Sequence, residues 1–99
     1  MDIAVKELHA MDQISIRTQH SEYQFQVIKP TECRGFLSGG VFGEKHYEAV
    51  FTGSILASRE CGRISSKLET GRCAQFYIAA KESLKCLTTS AITHLILAQ

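Results

Sequence analysis

The chain has 99 residues, of which 44% are hydrophobic and 21% are charged, and its formal net charge is +1. This composition excludes a disordered chain, and the length suits one domain, residues 1–99, with one modest core. A nearly neutral chain has no strong field to attract nucleic acid or an acidic membrane, and no apolar run approaches the ~18 residues of a membrane-spanning helix.

The first residues include acids and lack an apolar stretch, so they do not fit a secretory signal, and we expect a cytoplasmic protein. In that compartment cysteines are expected to remain free thiols. The chain has four: Cys33, Cys61, Cys73 and Cys86. Of these, Cys73 and Cys86 fall in predicted strands and are expected to be inert members of the core.

Residues 2–11 fit two different patterns. Behind Asp2, a residue type suited to a helix N-cap, the apolar residues at helical spacing are Val5, Leu8 and Met11. This spacing predicts two helical turns. A short strand over residues 3–8 is the alternative, because so short a helix is marginal unless it packs on the core.

Residues 13–28 alternate strictly between apolar and polar side chains, which predicts a β-hairpin with one buried and one exposed face. Taking His20 and Ser21 as a two-residue turn sets the register. It pairs Thr18 with Tyr23, Ile16 with Phe25, and Ile14 with Val27. Both aromatic side chains then belong to the core, so the hairpin is interpreted as scaffold.

Further strands are predicted in close succession along the rest of the chain. Gly39 and Gly40 interrupt the strand-like residues 36–42 and predict a bulge or sharp bend. The other predicted strands cover residues 47–55, 73–79, 84–89 and 92–97, with at most a short strand near Ile64 and a turn at Ser90–Ala91. For the last segment a short helix capped by Ser90 is the alternative, although its β-branched residues favour a strand.

The close spacing of these segments predicts an all-β fold. We expect a small antiparallel barrel or sandwich of six to eight short strands, to which one short terminal helix can be added. The sequence contains no Cys-x-x-Cys pair, no Gly-x-Ser-x-Gly elbow and no phosphate-binding loop. We therefore expect no metal site and no cofactor, and the pattern favours a protein that is not an enzyme.

Two alternative functions depend on scattered residues. The glycine bend and a modest cluster of basic residues are candidates for a ligand site. Their residues are Gly39, Gly40, Arg59, Arg63 and Arg72. The basic cluster also suggests the first alternative function, a weak nucleic-acid-binding barrel. The second alternative is a small-ligand or thiol site at Cys33 or Cys61, where adjacent arginines favour a reactive thiolate and adjacent glutamates oppose it.

The favoured hypothesis is a non-enzymatic protein-interaction module, with a protein partner or a second copy of itself. The edges of a small sheet must be paired, covered or charged, yet residues 92–98 carry no formal charge. An uncharged terminal strand is suited to binding a partner by strand addition. The residues predicted for this edge are Ile92, His94 and Ile96.

Overall fold

Strands dominate the computed structural model, which describes residues 2–56, 64–80 and 83–98. The strands are β1 (Asp2–Ile3), β2 (Gln13–Thr18), β3 (Glu22–Lys29), β4 (Arg34–Gly39), β5 (Tyr47–Leu56), β6 (Leu68–Glu69), β7 (Arg72–Ala80) and β8 (Ser83–Ala98). Single 3₁₀ turns cover Val5–Glu7, Pro30–Glu32 and Gly40–Phe42. No helix of the described residues is long and apolar enough to cross a membrane.

Six strands form a closed antiparallel barrel in the order β2-β3-β4-β5-β7-β8, and β8 pairs back onto β2. The short strands β1 and β6 pair with each other in a separate two-stranded sheet. The predicted all-β antiparallel fold is confirmed, and of the two architectures expected from the sequence the protein adopts the barrel. Closure pairs the first barrel strand with the last, so the barrel has no outermost strand.

The core fills the barrel with inward-facing side chains from alternate positions of each strand. Three phenylalanines meet at its centre. The Phe76 ring centroid lies 5.2 Å from that of Phe25 and 5.5 Å from that of Phe51. These tilted and edge-to-face contacts are the arrangements that aromatic rings prefer. The barrel is therefore packed around Phe76.

The β2–β3 hairpin closes through a longer loop than predicted. Its register pairs Arg17 with Glu22, Ile16 with Tyr23, and Ile14 with Phe25, so the predicted register is wrong by two residues. Thr18 stabilises the loop, because its N–H donates to the Ser21 carbonyl at 2.8 Å and its hydroxyl accepts from the Ser21 N–H at 3.1 Å. A shift of two residues leaves every side chain on its predicted face, so Tyr23 and Phe25 are buried as expected.

The N-terminal segment forms neither of its two predicted elements. β1 is followed by a single 3₁₀ turn, Val5–Glu7, and no α-helix. Val5 is fully buried in the core, whereas Met11 is 64% exposed and has a φ of 77°. The apolar stripe of the predicted helix is therefore broken, because pairing of β1 with β6 and burial of Val5 outweigh a weak local preference.

Residues 83–98 form one continuous strand, β8, where the sequence predicted two strands and a turn at Ser90–Ala91. The first half pairs with β7 as far as Ala91, and the second half pairs with β2 from Ile92 onward. Ser90, the polar residue that indicated a turn, donates its hydroxyl to Thr18 Oγ1 at 2.7 Å. The helix considered for residues 90–98 is wrong, and the strand is confirmed.

Candidate functional site

The C-terminal half of β8, residues 93–98, has one edge paired with β2 and one edge with no strand partner in the described part of the chain. Pairing with β7 ends at Ala91, and the Gly71 N–H then donates to the Ile92 carbonyl at 2.8 Å. From Gly71 backward the chain leaves β8 for β6, which pairs with β1. We call residues 93–98 the open edge, since alternate backbone groups of a strand point to opposite edges and half of these point away from β2.

The side chains of the open edge carry no formal charge, and all except that of Leu95, which is buried in the core, are exposed. Ile96 is 58% exposed, and His94 is also exposed. Ile92, which the sequence assigned to the same surface, is only 2% exposed and belongs to the core. The cause is a register shift between β2 and β8: Arg17 pairs with His94, but the next residue, Thr18, pairs with Ile92. This shift places Ile92 on the inner face of the barrel, opposite to the face of His94. Of the three predicted residues, the structure therefore brings His94 and Ile96 together on the surface.

The basic residues predicted for a ligand or nucleic-acid site do not form a described cluster. Arg59 and Arg63, together with Cys61, lie outside the described residues. Arg72 is bound within the fold, since its Nε lies 3.6 Å from Glu69 Oε2 and its Nη1 donates to the Ser54 carbonyl at 3.5 Å. Nucleic-acid binding stays a prediction. The charge of Arg72, one of the residues predicted for it, is already paired with Glu69.

The predicted ligand-site glycines, Gly39 and Gly40, lie at the opposite end of β5 from Arg72. Both have positive φ, 88° and 50°. A Cβ atom at Gly39 would collide with the Glu22 carbonyl oxygen, and one at Gly40 would collide with the Tyr23 ring. Positive φ and the lack of space for a Cβ atom explain why glycine occupies both positions. The sharp bend predicted at these glycines is confirmed. Ligand binding by the pair stays a prediction.

The thiols differ in accessibility. Cys33 and Cys73 are buried free cysteines, whereas Cys86 is exposed. Burial raises the pKa of the Cys33 thiol, and the Lys6 ammonium nearby offsets only part of that rise. The expected burial of Cys86 is wrong, because Cys86 pairs with the half-exposed Tyr77 on the outer face of the barrel. A buried thiol with a raised pKa is a poor nucleophile.

We therefore expect iodoacetamide at neutral pH to alkylate Cys86 at least about tenfold faster than Cys33 or Cys73 in the folded protein. The reason is the difference in exposure, reinforced at Cys33 by the smaller thiolate fraction. Mass spectrometry of each cysteine peptide over time measures the rates separately, so that reaction at Cys61 is not confused with the others. In denaturant the rates should converge. A Cys33 that reacts as fast as Cys86 in the folded state would contradict this assignment.

The outer face of β4, β5 and β7 carries a second exposed group that the sequence interpretation missed. Phe36 and Tyr77 are exposed there on either side of Arg34 and Glu48, beside a depression of about 320 Å³. The Arg34 guanidinium lies 3.3 Å from Glu48 and 3.4 Å from Glu32, so its charge is balanced. Residues 73–79 are apolar on both faces, so no alternation in the sequence marked the Tyr77 ring as exposed.

Neither a metal centre nor a known relative indicates a chemistry for the protein. Among the described residues, no three His, Cys, Asp or Glu side chains lie close enough together to hold a metal ion. No family model, curated protein or solved structure matches this chain. The open edge is therefore the candidate site, on the geometry of β8.

Proposed function

We propose that this protein is a non-enzymatic interaction module that self-associates through the open edge of β8. The observation that supports this most directly is a strand segment with no formal charge and mostly exposed side chains, one edge of which has no strand partner among residues 2–56, 64–80 and 83–98. Two copies would pair residues 93–98 antiparallel about a two-fold axis, which joins the two barrels into one continuous sheet across β2 and β8 of each copy.

The chemistry of the open edge favours a second copy of the same chain as the partner. Natural edge strands avoid pairing with one another by means of lysines, prolines, bulges or covering loops. Residues 93–98 contain no proline and no formal charge, so two identical segments do not repel each other. Exposed Ile96 adds apolar surface that becomes buried when the edges meet.

We place the protein in the cytoplasm as part of the same proposal. Three cysteines among the described residues are free thiols. Free thiols persist in the reducing cytoplasm, whereas exported proteins of this size tend to be cross-linked by disulfides.

Ile96→Lys tests the interface. The lysine places a charge beside the open edge and beside its symmetry mate, so we expect the dimer to dissociate at least about tenfold more readily, a change of about 1.4 kcal/mol. Sedimentation equilibrium over a wide concentration range measures the dissociation constant. The barrel itself should remain folded, because the Ile96 side chain is 58% exposed.

Tyr77→Lys is the matched control. Tyr77 is 49% exposed on the outer face of the barrel, but its strand β7 is paired on both edges, with β5 and β8. We expect this variant to self-associate like the unmodified protein. A protein that stays monomeric at the highest concentrations, or that dissociates equally in both variants, would rule out the proposal.

A further inference from the structure

A half-open pocket lies at one end of the barrel, away from the open edge. At this end β4 stops, β5 starts, β7 stops and β8 starts, and the 3₁₀ turn Gly40–Phe42 lies beside the opening. The pocket has a volume of about 290 Å³. Its lining includes Val41, Phe42, Tyr47, Ile78, Lys85 and Leu87. The described walls are mainly apolar, and Lys85 is the cationic side chain among them.

By strand register Lys85 belongs to the inward-facing row of β8, and at the open end of the barrel its side chain is exposed. It pairs directly with Ile78, which is buried in the core, and two residues further along β8 Leu87 pairs with the fully buried Phe76. Directly opposite residues of a sheet share a face, so Lys85 continues the inward-facing row at the point where the barrel opens. None of the ion pairs found among the described residues involves Lys85.

The aromatic wall of the pocket is held in place by its neighbours. The Phe42 ring centroid lies 5.0 Å from that of Tyr47 and 6.4 Å from that of Tyr23. Gly40 lets the 3₁₀ turn approach the Tyr23 ring more closely than any side chain would allow. A wall fixed in this way is already formed before a ligand arrives, which lowers the entropy lost on binding.

We propose that this pocket binds a small amphipathic carboxylate, with its apolar tail against Phe42 and Leu87 and its carboxylate paired with the Lys85 ammonium. Among the described residues that line the pocket, the exposed Lys85 side chain supplies a positive charge and no carboxylate opposes it, which favours a monoanion. The volume is at the lower limit of the roughly 300–1,000 Å³ typical of ligand sites, so a short tail fits better than that of a long-chain lipid. This site is independent of self-association through the open edge.

Decanoate and decanol test the site, because they share an apolar tail and differ in charge. Heteronuclear NMR titrations, kept below the micelle concentration of decanoate, should show decanoate binding about fivefold more tightly than decanol, as expected for one partly exposed ion pair. The largest amide shifts should fall in residues 41–47 and 85–87. Equal affinities for the two probes, no binding of decanoate, or shifts confined to another surface would each overturn the proposal.

Lys85→Met keeps the length of the side chain and removes its charge. This variant should bind decanoate about fivefold more weakly and decanol unchanged, whereas Lys85→Arg should retain the preference for decanoate. Lys45→Met is the matched control. Lys45 is an exposed cation in the β4–β5 connection, which also contains the pocket residue Phe42, but Lys45 itself does not line the pocket. If Lys45→Met reduces decanoate affinity as much as Lys85→Met does, the attraction is a general effect of net charge and the proposed site is wrong.

Discussion

Replacing Phe76 with alanine is expected to lower the free energy of unfolding by about 4 kcal/mol, a large share of the roughly 5–15 kcal/mol that stabilises a small domain. Phe76 is fully buried and contacts both Phe25 and Phe51 at the centre of the barrel. Truncation removes the transfer free energy of the ring and leaves a cavity between strands of a closed barrel. Closure prevents these strands from moving together to fill that cavity.

Urea unfolding followed by circular dichroism measures this loss, since the chain has no tryptophan to report by fluorescence. The protein concentration should be the same for all variants, because self-association would add to the apparent stability. Phe36→Ala is the control: Phe36 is 40% exposed on the outer face, and its truncation should cost no more than about 1 kcal/mol. Similar losses for the two variants would mean that the barrel is not packed around Phe76.

Gly39→Ala is expected to destabilise the protein by about 4 kcal/mol for a different reason. Gly39 has a φ of 88° and a ψ of −171°, a combination that residues with a side chain almost never adopt and that costs about 1–3 kcal/mol. An added Cβ would also collide with the Glu22 carbonyl oxygen and approach the Tyr23 Cα to 3.2 Å. Both neighbours are backbone atoms of β3, so relief requires the β3–β4 ladder to move.

Gly71→Ala separates the two contributions. Gly71 has nearly the same φ, 89°, but an added Cβ would meet no atom within 4 Å. We therefore expect Gly71→Ala to cost about 1–2 kcal/mol from backbone strain, and the collision at Gly39 to account for the remaining difference. Equal losses at the two glycines, measured by the same unfolding experiment, would contradict the close packing of β3 against β4 at Gly39.

The glycine variants also bear on the sequence-based ligand hypothesis. Gly39 and Gly40 were candidates because glycine-rich loops often surround a ligand. In the structure, the Glu22 carbonyl and the Tyr23 ring occupy the space that a side chain would need. The consequence for binding is indirect, because Gly40 lets the turn place Phe42 at the wall of the barrel-end pocket. Gly39→Ala is therefore expected to lose stability in the absence of any ligand, because the added Cβ atom collides with the protein itself.

Several features could be predicted because they depend on local patterns. Alternation within residues 13–28 placed Tyr23 and Phe25 on the buried face, and this assignment held even though the register was wrong by two residues. Paired glycines at 39 and 40 predicted the bend that ends β4. Alternation and glycine conformation are properties of neighbouring residues, so they can be read without knowledge of the rest of the fold.

Other features depended on contacts between residues far apart in the chain. Ser90 indicates a turn when its neighbours alone are considered, yet its hydroxyl bonds Thr18 across the barrel, and β8 continues through it. The inward position of Ile92 depends on a register shift with β2, and the exposure of Cys86 depends on its pairing with Tyr77. No local pattern contains this information.

Residue patterns alone were enough to predict an all-β antiparallel fold and the buried side chains of the first hairpin, because side-chain alternation directly reflects a half-buried strand. Long-range contacts close the sheet into a barrel, divide the pairing of β8 between β7 and β2, and leave residues 93–98 without a second strand partner in the described part of the chain. The physical reason is that strand pairing is set by hydrogen bonds and packing between distant segments, which the spacing of residues along the chain does not specify.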